Sequence, residues 1–214
     1  ELLLRAEDCG VTAAGGFEML VAQAVFAAEH FTGKTLDTAE IIPSVSRRLR
    51  HELANISLIG MPGCGKSTVG AALAKRLNKK FVDLDAEIER RTGRTIPDIF
   101  AQEGEEAFRY EAETLADVAK GNSQVIACGG GVIKNHANTR ALRQNGPVLW
   151  VRRPLERLAT GGRPLSKGGA ALKQMEAERT PLYQAAATAV LDNNSTLAQA
   201  VATAAALFEA DERL

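Results

Sequence analysis

Apolar residues recur along this chain in two rhythms. Between residues 17 and 31, Phe17, Leu20, Val21, Ala24, Ala28 and Phe31 fall at spacings that place them on one face of an α-helix. Gly15 and Gly16 precede that stretch, and Thr32-Gly33 closes it, as a C-terminal glycine often does. Residues 34–46 show no clear period and carry Pro43 and Ser44, so they read as a linker. Residues 47–52 are a short charged stretch with room for a helical turn. From residue 55 the rhythm changes, and short β-type runs alternate with helical patterns. Strands are predicted over 55–59, 81–85, 124–127, 147–151 and 188–191. Helical patterns cover 67–77, 86–91, 96–101, 105–119 and 170–187, with another starting at Pro154 and a closing one marked by Leu197, Val201, Ala204 and Phe208. Residues 161–169 read as a flexible basic loop. The alternation predicts an α/β fold of βαβ units: a five-stranded parallel sheet flanked on both faces by helices, preceded by a helical appendage.

Composition narrows the function classes. The 214 residues suit one domain plus a short appendage. Lys+Arg and Asp+Glu each number 26, so no global basic field exists and nucleic acid is not expected as a partner. No run approaches the ~20 apolar residues that span a bilayer, so no membrane is expected either. The stretch 17–31 is broken by Glu18, Gln23, Glu29 and His30 and follows no basic segment, which argues against a signal peptide. Cys9, Cys64 and Cys128 are odd in number and widely spaced. They suit a reducing, cytoplasmic setting and show no zinc-ligand spacing. The chain begins at Glu1 without a methionine, which leads us to expect a piece of a longer protein.

The most specific chemistry lies after the first predicted strand. Gly60-Met61-Pro62-Gly63-Cys64-Gly65-Lys66-Ser67-Thr68 matches G-x-x-x-x-G-K-[ST], with a strand before it and an amphipathic helix after it. Such a loop wraps its N–H groups around phosphate, and the positive end of the following helix adds to the attraction. Residues 63–68 are therefore the expected cradle for a nucleoside triphosphate. Lys66 is placed to reach the β- and γ-phosphates and Ser67 to ligate Mg²⁺. Asp83 and Asp85 close the second predicted strand, and ligands of parallel sheets gather at carboxyl strand ends. Alternation along a strand points both carboxylates to one side. One of the two can attend to hydrated Mg²⁺ and the other to an acceptor hydroxyl.

At this point the chain resembles shikimate kinase. The resemblance rests on the GMPGCGKST loop, FVDLDAEIE, RTGRTIPDIFAQEGEEAFR, the CGGG turn, GGRPL and ERTPLY, in order and in register from about residue 55 to 210. It implies a P-loop fold similar to the nucleoside monophosphate kinases. It also implies transfer of the γ-phosphoryl of ATP to the 3-hydroxyl of shikimate, in chorismate and aromatic amino acid biosynthesis. By the same resemblance Arg109 and Arg179 bind the shikimate carboxylate, and Asp85 contacts the ring hydroxyls. Gly130 and Gly131 line the ring, and Arg163 is the lid arginine that closes on the phosphoryl group. A guanidinium fork suits a carboxylate, which makes chemical sense of the two arginines. The catalytic set implied is Lys66, Asp85 and Arg163. The chain departs from the pattern in three places. The glutamate expected three residues after Arg109 is Ala112, flanked by Glu111 and Glu113. The lid is short between Gly162 and Arg163. The adenine-stacking arginine is replaced by Ala159, with Arg157 nearby.

Residues 15–33 resemble the closing helices of shikimate dehydrogenase, with Gln23 at the position that contacts shikimate in that family. The expected organisation is a dehydrogenase-like fragment and linker over 1–46 and a kinase domain over 47–214. The kinase domain is expected to be monomeric and the natural protein a larger fusion. Two rivals remain: a P-loop kinase for another polyol acid such as gluconate, and a module that binds ATP without turnover.

Overall fold

The fold was analysed in a computed structural model, which describes residues 2–13, 15–158 and 169–211. Two compact units divide between Leu53 and Ala54.

The first unit holds α1 (Leu2–Asp8), α2 (Phe17–Thr32) and α3 (Thr38–Leu53). The predicted helix is α2, and Gly33 ends it in the left-handed region at φ 65°. Its buried residues are Val21 and Val25, one turn apart, while Leu20 and Phe31 are exposed. The buried stripe is therefore narrower than predicted and rotated. Residues 34–46 are not a linker throughout, because α3 starts at Thr38 and continues through Pro43. A proline removes one backbone donor, but the remaining turns carry the helix past it. Arg50 of α3 lies over the Phe17 ring and its Nη2 is 3.3 Å from Glu18 Oε1, tying α3 to α2.

The second unit runs β1 (Ile56–Ile59), α4 (Lys66–Arg76), β2 (Lys80–Asp83), α5 (Leu84–Thr92), α6 (Ile96–Glu103), α7 (Phe108–Val118) and β3 (Gln124–Ala127). It continues with α8 (His136–Arg143), β4 (Val148–Arg152), α9 (Gly169–Ala186), β5 (Ala189–Asp192) and α10 (Leu197–Glu209). The five strands form one parallel sheet in the order β2-β3-β1-β4-β5. Burial follows that order. Every residue of the central strands β1 and β3 is buried, whereas in the edge strands β2 and β5 every residue but Leu191 is half-buried or exposed. Parallel strands covered on both faces read as continuous apolar runs, which is why ISLI and QVIA were legible as strands. Asn55 anchors the amino end of the sheet. Its Oδ1 accepts from Gln124 N at 3.0 Å and its Nδ2 donates to the Gly121 carbonyl at 2.7 Å. α4 packs its Val69, Gly70 and Leu73 inward. A Cβ on Gly70 would stand 2.8 Å from the Phe81 ring, so the glycine allows the helix its close approach to the sheet.

Three local readings change. The second strand ends at Asp83, and Asp85 lies in the first turn of α5. Pro154 precedes only a short 3₁₀ turn, Leu155–Arg157. α8 lies in a stretch for which no element was predicted.

Candidate active site

The phosphate loop joins β1 to α4. Gly60, Gly63 and Gly65 all take positive φ, at 144°, 84° and 101°. A Cβ on Gly65 would stand 2.5 Å from Asn193 Nδ2, so both conformation and space require glycine there. Asn193 follows β5, is buried, and donates from Nδ2 to the Cys64 carbonyl at 2.8 Å. It braces the loop from below. Cys64 itself is fully buried, and only its carbonyl serves that brace; the cavity is lined by Gly63, Gly65, Lys66, Ser67 and Thr68 around it. Lys66 Nζ donates to the carbonyls of Gly60 at 2.8 Å and Met61 at 3.0 Å, which holds the ammonium at the loop.

A helix cap, not strand alternation, places the two aspartates. Asp83 caps α5: its Oδ1 accepts from the N–H groups of Asp85 at 3.1 Å and Ala86 at 3.3 Å. Its Oδ2 accepts from the Ser67 hydroxyl at 2.6 Å. Among the described residues no cluster of three or more His, Cys, Asp or Glu side chains forms a metal site. A hydroxyl backed by one carboxylate is a hard oxygen set, which suits Mg²⁺ shared with phosphate and water. Asp85, carried by the cap into the first helical turn, lines the cavity together with Asp83.

That cavity has a volume of about 320 Å³ and runs from the phosphate loop to Asp85, Gly129, Gly130, Gly131 and Arg179. Arg179 of α9 is only 5% exposed. Its Nη1 donates to the Gly130 carbonyl at 2.9 Å, and the hydroxyl of Tyr183 donates to the same oxygen at 2.8 Å. Burial raises the Tyr183 hydroxyl pKa, so it stays a donor. The ring of Tyr183 stacks on Trp150 of β4, fixing α9 against the sheet.

Glu111 enters the cavity where no site residue was predicted. It is 6% exposed, and its carboxyl packs against Gly129: a Cβ there would fall onto Glu111 Oε1 and within 2.9 Å of Asp85 Oδ1. Burial, and next the charge of Asp85, push its pKa up to about 8, against the pull of Arg179 and Lys66. Arg109 goes elsewhere. It stands two residues before Glu111, about 200° around the helix at 100° per residue. Its Nη2 reaches Glu103 Oε2 at 2.9 Å, and its guanidinium lies 4.8 Å from the Tyr110 ring centre. It borders a second cavity, which shares only Glu111 and Gly131 with the first. Arg163, with Ala159 and the rest of the expected lid through Gly168, lies outside the described residues. Arg153, just past β4, is a further cavity residue that sequence reading passed over; its signal was a basic residue at the carboxyl end of a strand beside the phosphate loop.

A nucleotide loop at the centre of a parallel sheet, opening into a cavity with acidic and guanidinium side chains, defines a P-loop kinase acting on a small molecule. A family model described as shikimate kinase matches residues 62–208. The chain belongs to the shikimate kinase family. A shikimate kinase of Clostridium botulinum (strain Eklund 17B / Type B) is 42% identical over 152 residues, covering 68% of this chain and 92% of the relative. That of Symbiobacterium thermophilum is 44% identical over 167 residues, covering 69% and 92%. Among solved structures, shikimate kinase from Acinetobacter baumannii in complex with shikimate superposes with a TM-score of 0.67 at 36% identity, covering 75% of this chain and 94% of that one.

Proposed function

We propose that this chain transfers the γ-phosphoryl group of ATP to the 3-hydroxyl of shikimate, giving shikimate 3-phosphate and ADP in chorismate biosynthesis. One observation carries the reading: Lys66 and Ser67 of the phosphate loop share a single cavity with Asp85 and Arg179. Phosphoryl transfer needs little covalent chemistry from the protein, so positioning and charge do most of it. Loop N–H groups from Gly63 to Thr68 hold the triphosphate, and Lys66 neutralises charge at the phosphoryl group. Mg²⁺, when bound with ATP, screens the phosphate oxygens; Ser67 would hold it, with Asp83 fixing the Ser67 hydroxyl. Asp85 orients the attacking hydroxyl and takes its proton. Arg179 anchors the carboxylate, with Gly130 and Gly131 leaving room for the ring. Arg109, held by Glu103, joins Arg179 only if it leaves that partner. Arg163 is assigned to the lid and closes over the phosphoryl group.

The first unit is proposed to be the end of a shikimate dehydrogenase fused upstream, supported by the pattern over residues 15–33 with Gln23. Among the described residues no helix is long and apolar enough to cross a membrane. The three cysteines are free, which suits a cytoplasmic setting.

ADP release coupled to an indicator reaction, with shikimate or gluconate as acceptor, tests the function. Release that depends on shikimate is expected. Release with gluconate alone would reassign the acceptor, and release with neither would leave an ATP-binding module.

A further inference from the structure

β4 is hydrogen-bonded to β1 with Trp150 opposite Ile59, so where β1 turns into the phosphate loop, β4 runs on beside it. The approach is close: a Cβ on Gly60 would fall onto the Val151 carbonyl oxygen. Two arginines follow at once, and their fates differ. Arg152 is spent on the sheet edge, where its Nε and Nη2 donate to the two Asp192 carboxylate oxygens at 2.8 and 3.1 Å. Arg153 instead lines the cavity together with Gly63, Lys66 and Ser67. Its Nε is buried without a hydrogen-bond partner. It makes no ion pair among the described residues. A buried guanidinium donor without an acceptor is costly to keep unless a ligand supplies the acceptor.

The sheet order places that donor relative to the acceptor residues. β1 lies between β3 and β4. Gly130 and Arg179, with Asp85 beyond them, flank the phosphate loop on the β3 side. Arg153 flanks it on the β4 side. The cavity thus has a guanidinium on each side of the loop mouth, one with the acceptor residues and one without them.

We propose that Arg153 contacts the terminal phosphoryl group of the bound nucleoside triphosphate, from the flank opposite the acceptor residues. This rests on the proposed function's reading of the cavity as a triphosphate site. A planar fork of N–H donors matches two phosphoryl oxygens, and it keeps its charge throughout. In the transfer, the bond from the γ-phosphorus to the bridging oxygen breaks and its electron pair leaves with ADP. The acceptor oxygen forms the new bond to phosphorus and loses its proton to Asp85. Arg153 gives up neither proton nor electrons, and only offsets negative charge.

Calorimetry on the full chain without acceptor separates the possibilities, using ADP and an ATP analogue with a non-hydrolysable β–γ bridge. Arg153→Met keeps the apolar stem and removes the fork. It is expected to weaken the analogue about tenfold while ADP stays within about twofold, and Arg153→Lys is expected to fall between. In turnover, kcat should drop with the KM for shikimate unchanged. Equal weakening of ADP and the analogue would reduce Arg153 to loop packing and overturn the proposal. So would a change confined to shikimate KM, which would make it a carboxylate anchor, or no change at all. If Arg153→Met does not fold, Arg153→Lys decides by the same comparison. A wild-type chain that binds the analogue yet does not phosphorylate shikimate would overturn the acceptor assignment and leave this contact standing.

Discussion

Arg179 and Gly130 are joined by a 2.9 Å hydrogen bond from the guanidinium Nη1 to the carbonyl oxygen, across 49 residues of sequence. The bond seats α9 on the turn after β3 and aims the charge of Arg179 into the cavity. The same oxygen accepts from Tyr183, so the backbone there is held twice. Arg179→Ala should raise the KM for shikimate at least ~10-fold with a smaller effect on kcat, because an anchor acts in ground and transition states alike. Asp85→Asn should do the reverse and lower kcat at least ~100-fold, since it removes the proposed proton acceptor but keeps the shape. Steady-state kinetics on both variants check the split; matching changes in kcat and KM for the two would contradict it.

Lys66→Ala is expected to cut kcat at least ~100-fold, by removing a fixed positive charge where negative charge gathers. The Gly60 and Met61 carbonyls that Lys66 now holds would lose their donor, so the loop should loosen as well. Single-turnover measurement at saturating ATP isolates the chemical loss. Near-normal transfer would remove Lys66 from the mechanism.

How much was legible in the sequence depended on whether the cause is local. The phosphate loop is a local device: its glycines, its lysine and its flanking strand and helix are contiguous, and they appear as read. Asp85 lines the cavity, but strand alternation is not what puts it there. Asp83 acts as an N-cap and starts α5, so the helical turn, not strand alternation, sets the direction of Asp85. Glu111 and Arg109 show the limit. Both lie on one short helix, and only the packing of α7 decides which of them faces the cavity. Three helices were missed in part or whole, α1, α3 and α8, and the last two have local reasons. Pro43 looked like a break inside α3, and α8 is eight residues of which only Ala137, Ala141 and Leu142 are apolar. Its start rests on an Asn135 cap, and its buried Asn138 donates to the Val132 carbonyl, a tertiary contact no pattern announces.

Gly129 and Gly130 are adjacent, yet their alanine variants should differ. A Cβ on Gly130 meets the Pro62 ring at 3.0 Å and Arg179 Nη1 at 3.1 Å, which a shift of a few tenths of an ångström relieves. A Cβ on Gly129 falls onto the buried Glu111 carboxyl, which has less room to yield. Gly130→Ala should cost about 1 kcal/mol and Gly129→Ala about 3 kcal/mol, within the range for overpacking. Urea unfolding of both variants checks the order, and equal losses would show that Glu111 moves aside freely.

Removing Glu1–Leu53 should leave kinase kcat within about twofold, the scale of minor stability effects. The phosphate loop and every acceptor residue lie in the second unit. The cut falls after Leu53, because one after residue 46 would divide α3. The intact 214-residue chain should show no NADP-dependent oxidation of shikimate, since it has no glycine-rich dinucleotide turn before residue 55. Loss of kinase activity on truncation would make the first unit part of the working enzyme.

Glu111 should give the protein a pH-dependent stability that one substitution removes. Burial raises its folded pKa to about 8 from an ordinary 4.5, and the nearby Asp85 charge adds to the rise. Arg179 and Lys66 pull the other way without overcoming it. Between those two values the folded chain holds a proton that the unfolded chain has released. The stabilising contribution of protonated Glu111 is therefore full below about pH 4.5 and is lost as pH rises through about 8. Above that, the fold must bury a carboxylate facing Asp85. Glu111→Gln mimics the protonated shape and cannot ionise. Its Tm should match the parent near pH 5 and exceed it near pH 9. Parallel Tm profiles across that range would mean that Glu111 is already ionised at neutral pH, held by Arg179 and Lys66. In that case the carboxylate, not the acid, is the form that shares the cavity with Asp85.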